Sequence, residues 1–326
     1  MTFSLMSRIS LSALHRFAAL AAMVLAFTVV TAATAQVGPQ LNGRQSTSYV
    51  RPSASEALWS AQDMLVGQSI ARLPERAPDH PNIYAVAIAP LGTQTLFSRE
   101  AKVALQALAA NYGGTAKAGV LLSNLTDDHM QAPLATQQNV VQVLRAIGRR
   151  TRPAPDDVVI VYLTSHGGPD AALQSELPRS LPILAISANS MAIALEDAQI
   201  RRRVIIISAC FAASWIPRLA NDDTIIIAAA AADRTSFGCA DDRPLTYFGE
   251  AFLTGPFAQG ASLADSFESA RKTVTQWEQA EKLLPSLPQA YVGKNMQAFW
   301  MKTLRPGLKA APPPKSATAG KVAARR

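Results

Sequence analysis

Cysteine is scarce: the 326-residue chain has two, Cys210 and Cys239. That excludes a small fold stapled by disulfides and leaves room for at most one bridge. Cys-x-x-Cys and His-Glu-x-x-His spacings are absent, and the four histidines, His15, His80, His129 and His166, are scattered. A metal centre therefore finds no ready ligand set. Beyond the N-terminus no apolar run is long enough to span a bilayer, so no further membrane segment is expected. There is no internal repeat and no clear second-domain boundary, which leaves one large domain able to bury a substantial core.

Acidic residues are missing from the C-terminal stretch, and this explains the net charge of +8. From Met301 onward the chain carries Lys302, Arg305, Lys309, Lys315, Lys321, Arg325 and Arg326 with no acid, and Arg8 and Arg16 sit in the leading segment. Without those nine, 22 basic residues stand against 23 acidic ones. The body is near neutral, and the sequence makes no case for nucleic-acid recognition. Rich in Pro and Ala, residues 301–326 read as a basic disordered tail.

At the other end Arg8 and Arg16 precede the apolar run Phe17 to Val30, and Ala33-x-Ala35 offers a cleavage site before Gln36. Residues 1–35 thus read as a signal peptide, implying export to a periplasmic or extracellular space. An uncleaved N-terminal membrane anchor is the alternative. No Cys follows the apolar run, which excludes a lipid anchor at that point. Residues 36–82 read as a leader with one helix, capped by Ser53 or Ser55 and carrying Leu58, Trp59, Met64, Leu65 and Ile70. Residues 83–300 read as the main domain.

Within that domain two β-branched runs stand out, each ending in small residues. Asp157 to Leu163 leads into Thr164-Ser165-His166-Gly167-Gly168, and Arg203 to Ile207 leads into Ser208-Ala209-Cys210-Phe211. Such runs suit strands covered on both faces in a parallel sheet. Further strands are expected at Ile83–Ile88, near Ala118–Leu122, at Ile183–Ile186 and at Thr224–Ala230. Helices are expected at Arg99–Tyr112 (Val103, Leu105 and Leu108 inward), Thr136–Arg149, Ser190–Ile200, Ala212–Leu219, Tyr247–Leu253 and Leu263–Leu284. This alternation predicts an α/β fold: a mostly parallel sheet with helices on both faces.

In an open parallel sheet the ligand crevice lies outside the carboxyl ends of the strands, where His166 and Cys210 both stand. A buried cysteine after a strand is more often inert packing, and a lone histidine more often just ends its strand. On neighbouring strands the two would instead face each other as a nucleophile and its base. Gly167 and Gly168 let backbone approach a ligand closely. A helix N-terminus after Cys210 would favour a thiolate. The Pro-punctuated stretch 169–182 is placed to shape a cleft. Asp127, Asp128, His129 and the region of His80 read as solvated loop. A Cys210–Cys239 bridge would consume the nucleophile.

Strand–His-Gly followed about forty residues later by strand–Ala-Cys resembles the legumain-type cysteine peptidases, within the caspase and gingipain group. The likeness continues through Asp233-Arg234-Thr235-Ser236-Phe237-Gly238-Cys239 and Thr246-Tyr247-Phe248-Gly249-Glu250, and looks closest to bacterial exported members. It implies a caspase-like three-layer α/β/α sandwich and peptide-bond hydrolysis through a thioester acyl-enzyme, acting on peptides or proteins with no cofactor. By this resemblance Cys210 is the nucleophile, His166 the acid/base, and the Gly167 and Cys210 N–H groups the oxyanion hole. Thr235, Ser236 and Glu250 match positions at the specificity pocket. Ser208 stands where legumains carry an acid, which departs from their Asn-recognising pattern. The pocket's basic residue aligns with Arg99, or the alignment places Ser98 there. Cys239 matches a non-catalytic cysteine and reads as packing. A non-catalytic partner-binding module, or a transpeptidase or ligase using the same acyl-enzyme, are the alternatives.

Overall fold

β-Branched runs flanked by helical periodicity assemble into the expected layered architecture. The computed structural model describes residues 54–177 and 181–305, which fall in a single compact unit. The proposed signal peptide and most of the tail lie outside the described residues. In chain order the strands are β1 (Ile83–Ala89), β2 (Val120–Ser123), β3 (Val158–Thr164), β4 (Ala172–Leu173), β5 (Glu176–Leu177), β6 (Leu181–Pro182), β7 (Ile186–Ser187), β8 (Arg202–Ser208), β9 (Thr224–Ala228) and β10 (Gln289–Val292). The main sheet runs β10-β9-β8-β3-β1-β2. Its pairings are parallel except for β10, which lies antiparallel to β9. That edge strand carries no strong pattern (Gln289-Ala290-Tyr291-Val292), and the sequence reading passes over it.

The helices are α1 (Ala54–Ser60), α2 (Gln62–Ala71), α3 (Thr95–Tyr112), α4 (Gln137–Thr151), α5 (Ala188–Asp197), α6 (Ile216–Leu219), α7 (Tyr247–Leu253), α8 (Leu263–Ala280) and α9 (Gln297–Met301). Alternate residues of each central strand feed opposite layers, as the two-residue period of a strand requires. Val159, Val161, Leu163, Ile205 and Ile207 pack with Val143, Leu144 and Ile147 of α4 and Leu195 of α5. Ile160, Tyr162, Val204 and Ile206 face Phe97, Ala104 and Leu108 of α3 and the aromatics Phe248, Phe252 and Phe267. Each fully buried apolar side chain of this size contributes about 1.5–3 kcal/mol. The α/β/α reading holds.

Three local expectations need correction. The N-terminal helix is broken at Ala61, and Ser55 lies inside α1 rather than capping it. Its buried apolar residues are Leu65 and Val66, while Trp59 and Met64 face outward. Helix α3 begins one turn early because Asp241, distant in sequence, accepts hydrogen bonds from Leu96 N (2.9 Å) and Thr95 Oγ1 (3.1 Å). No local pattern could signal that cap. Asp128, taken for solvated loop, is buried and bonded to Ser98, Ser123 and Lys102. The last described residues, through Arg305, are held by Leu304 N and Arg305 N donating to Gly260 O.

Candidate active site

β3 and β8 are neighbours, paired in parallel with Thr164 opposite Ser208. His166 and Cys210 each lie two residues past that final pair, so they leave the sheet in register. Ser165 N still donates to Ser208 O (3.4 Å), and a Cβ on Gly167 would lie 2.2 Å from the Cys210 carbonyl oxygen. Only glycine lets the two chain ends pass this closely. Both residues continue the strand face that carries Tyr162 and Ile206, the α3/α7 side of the sheet.

The turn after Cys210 is tight. Phe211 takes a left-handed conformation (φ 55°, ψ 21°), a strain of about 1–3 kcal/mol for a non-glycine residue. It is held by Phe211 N donating to Arg234 O (2.8 Å) and Ala213 N to Ala230 O (2.9 Å). The expected helix after Cys210 is a 3-10 turn (Ala212–Trp215) running into the four-residue α6. A long macrodipole is therefore absent at the sulfur, and individual donors do that work.

Those donors surround Cys210. Ser236 N donates to Sγ at 3.3 Å, and the thiol can return a bond to Ser236 O at 3.5 Å. A hydrogen bond from the Cys239 thiol, then backbone N–H groups of Ser236, Gly167 and Cys210 itself, overcome burial and bring the Cys210 pKa down from 9.0 to about 6. Cys239 moves the opposite way, far up, through the bond to Cys210, burial, and the negative charges of Cys210 and Glu100. The two thiols are free, not bridged. Cys239, read from sequence as packing, thus has an electronic partner.

His166 is in a different setting. Its ring stands edge-on to Phe97, with centroids 5.1 Å apart and planes at 80°. Burial lowers its pKa below 6.5, and no carboxylate offsets that. A cavity of about 340 Å³ opens beside it, lined by His166, Gly167, Gly168, Asp170, Leu173 and Gln174. Asp170, Ala172, Leu173 and Gln174 of the excursion form part of its wall, next to the short ribbons in which β4 pairs with β7 and β5 with β6.

The remaining named residues scatter around this centre. Ser208 is buried, its Oγ 2.9 Å from Thr246 Oγ1. Ser236 touches the sulfur, while Thr235 is exposed. Glu250 pairs with Arg243 at 2.8 Å, and that guanidinium lies over the Tyr247 ring. Arg99 is exposed and braces backbone, donating to Pro244 O (2.9 Å) and Arg243 O (3.2 Å). Ser98 is committed to Asp128. The sequence reading missed Arg243, Thr246, Phe97 and Glu100. Glu100 was findable: it falls on the stripe Phe97, Ala101, Ala104, Leu108, where an acid must be buried. Among the described residues no cluster of three His, Cys, Asp or Glu is set to hold a metal, and no helix is long and apolar enough to cross a membrane.

A family model described as the Peptidase C13 family matches residues 127–299, just over half of the chain, and takes in both strand ends. Among solved structures, a secreted C11 cysteine protease from Bacteroides thetaiotaomicron, in complex with an irreversible peptide inhibitor, is 13% identical, with a TM-score of 0.36. The match covers 62% of this chain and 60% of that one. Raptor from Chaetomium thermophilum is 9% identical with a TM-score of 0.32, covering 63% of this chain and 21% of that one. Both likenesses are remote, and no residue takes a role from either. No curated protein matches the chain significantly.

Proposed function

The chain belongs to the peptidase C13 family, the legumain family, and from that premise we propose that it is a cysteine endopeptidase acting through Cys210 and His166. The observation that carries this is the in-register exit of the two residues from paired strands, with Gly167 backed against the Cys210 carbonyl. The Cys210 sulfur attacks the scissile carbonyl carbon, and the carbonyl π electrons move to oxygen. The Gly167 and Cys210 N–H groups, already turned toward the sulfur, receive that oxyanion. As the tetrahedral intermediate collapses the C–N bond breaks and the amine leaves with the proton of His166, giving a thioester. His166 then takes a proton from water as it attacks the thioester, and the acid is released with Cys210 restored. No cofactor enters these steps.

Acylation needs one proton on the thiol–imidazole pair. With Cys210 brought down to about 6 and His166 held below its usual value, that state is populated in mildly acidic solution and lost as pH rises. On the pocket side Glu250 is already neutralised by Arg243, and Ser208 is occupied by Thr246. This favours an uncharged polar side chain at the cleavage site over a basic one. The same acyl-enzyme serves transpeptidation when an amine replaces water. Residues 1–35 are read as an export signal removed from the working enzyme.

The test is hydrolysis of a mixed peptide library by reduced protein beginning at Gln36, beside Cys210→Ala. Internal cleavage that falls roughly 10⁴-fold or more in the variant is expected. Equal cleavage by both proteins would remove Cys210 from the mechanism.

A further inference from the structure

Beneath the thiol and the imidazole lies a fully buried acid that the steps above do not use. Glu100 on α3 is 0% exposed, and the hydrogen bonds that hold it come from neutral groups. Tyr162 Oη and Thr164 Oγ1 each donate to Oε1 at 2.9 Å, and Thr246 N donates to Oε2 at 2.8 Å. Room for the carboxylate is made by Gly249 of α7, where a Cβ would lie 2.2 Å from Oε2. Burying a carboxylate without a cation is costly, and an apolar residue of similar volume is often as stable or more so. Stability alone therefore gives no reason for an acid here.

The bonded groups supply one. Tyr162 and Thr164 occupy alternate positions of β3, and the next alternate residue is His166. Thr246 accepts from Gly249 N (2.9 Å) as it caps α7, and its hydroxyl meets Ser208 Oγ, two residues before Cys210 on β8. Next to Thr246, Tyr247 N donates to Phe237 O (3.0 Å), which fixes the 236–239 segment that places Ser236 N–H and Cys239 on the sulfur. One carboxylate thus joins the strand bearing the imidazole to the loop wrapping the thiol. Charge-assisted bonds of this kind are stronger and better directed than neutral ones.

We propose that Glu100 is a positioning residue: its carboxylate locks the His166 strand end to the loop around Cys210 and so sets the alignment of thiol, imidazole and backbone donors, without touching substrate. This rests on the peptidase reading for its kinetic consequences, but alignment can also be read without turnover. Glu100→Gln keeps an acceptor for Thr246 N–H and lets the Tyr162 and Thr164 hydroxyls rotate to accept. Glu100→Met keeps the volume and removes every bond.

The experiment measures thermal melting, the pH dependence of Cys210 alkylation by iodoacetamide, and kcat and KM for these variants and for Thr164→Val. Expected for Glu100→Met is a cooperative melt near wild type and an alkylation midpoint raised by at least about one pH unit. Its kcat falls roughly 100-fold with KM little changed, as for an ångström-scale misalignment. Glu100→Gln recovers most of both, and Thr164→Val moves both in the same direction by less. A folded Glu100→Met with the wild-type alkylation midpoint overturns the proposal. So does loss of melting and activity to equal extent in the Met and Gln variants. If Glu100→Met does not fold, the alkylation midpoint of Thr164→Val decides. If wild type shows no Cys210-dependent hydrolysis, the peptidase reading fails and the alkylation arm still decides alignment.

Discussion

At the end of β3 the His166 ring is surrounded by burial and the edge of Phe97; at the end of β8 the Cys210 sulfur has Cys239, Ser236, Gly167 and its own backbone N–H as donors. The strands pair in register and deliver their residues at the same height. One end nevertheless pushes its group toward the neutral form while the other stabilises the charged form. The donors around the sulfur, and not an imidazolium opposite, are thus what favours the charged form of Cys210. Among the described residues no carboxylate charge offsets the burial of the imidazole, to which the proposed mechanism gives proton transfer. Geometry makes the two ends alike, and local donors divide the labour.

That contrast can be broken at several points. The largest effect is expected from Gly167→Ala. Its Cβ would meet the Cys210 carbonyl at 2.2 Å, a backbone atom with little freedom to yield, so the two ends are forced apart. Hydrolysis should fall roughly 100-fold, measured as kcat/KM on the best peptide, since near-attack geometry is lost. Cys239→Ala comes next: it removes the largest single support of the thiolate and leaves the backbone donors. The alkylation midpoint of Cys210 should rise above about 6 toward the ordinary 9.0 while the protein stays folded. An unmoved midpoint would return Cys239 to packing. The smallest effect is expected from Asp241→Ala, which strips the distant cap from α3. It should cost about 1 kcal/mol of stability in denaturant titration with the alkylation profile unchanged, because the cap lies more than a turn from Glu100.

Much of this was legible because buried parallel strands declare themselves. The runs ending at His166 and Cys210 marked the centre of the sheet from β-branching and small residues alone, and their pairing brings the two residues to neighbouring strand ends. The helix Tyr247–Leu253 was read with the bounds it has, while its cap, the Thr246 side chain accepting from Gly249 N, was not. What escaped depends on contacts distant in sequence. Asp241 caps a helix over a hundred residues away, and Asp128 is held by Ser98 and Lys102 of α3 as well as by nearby Ser123. Glu100 escaped because the inward face of α3 was placed on Val103 and Leu105, which are only half buried, instead of Phe97, Ala101 and Ala104. Cys239 was weighed as a bridge to Cys210 or as packing, and its part as a free-thiol partner of Cys210 escaped because spacing does not show it.

The central claim, that the loop and not the imidazole makes the thiolate, is tested most directly by the pH dependence of Cys210 alkylation in wild type and His166→Ala. The account predicts a midpoint near 6 in both proteins, with alkylation rising to a plateau above it while wild-type hydrolysis declines. A midpoint that climbs toward 9.0 in His166→Ala would contradict it, and would place the source of the thiolate on the imidazole instead.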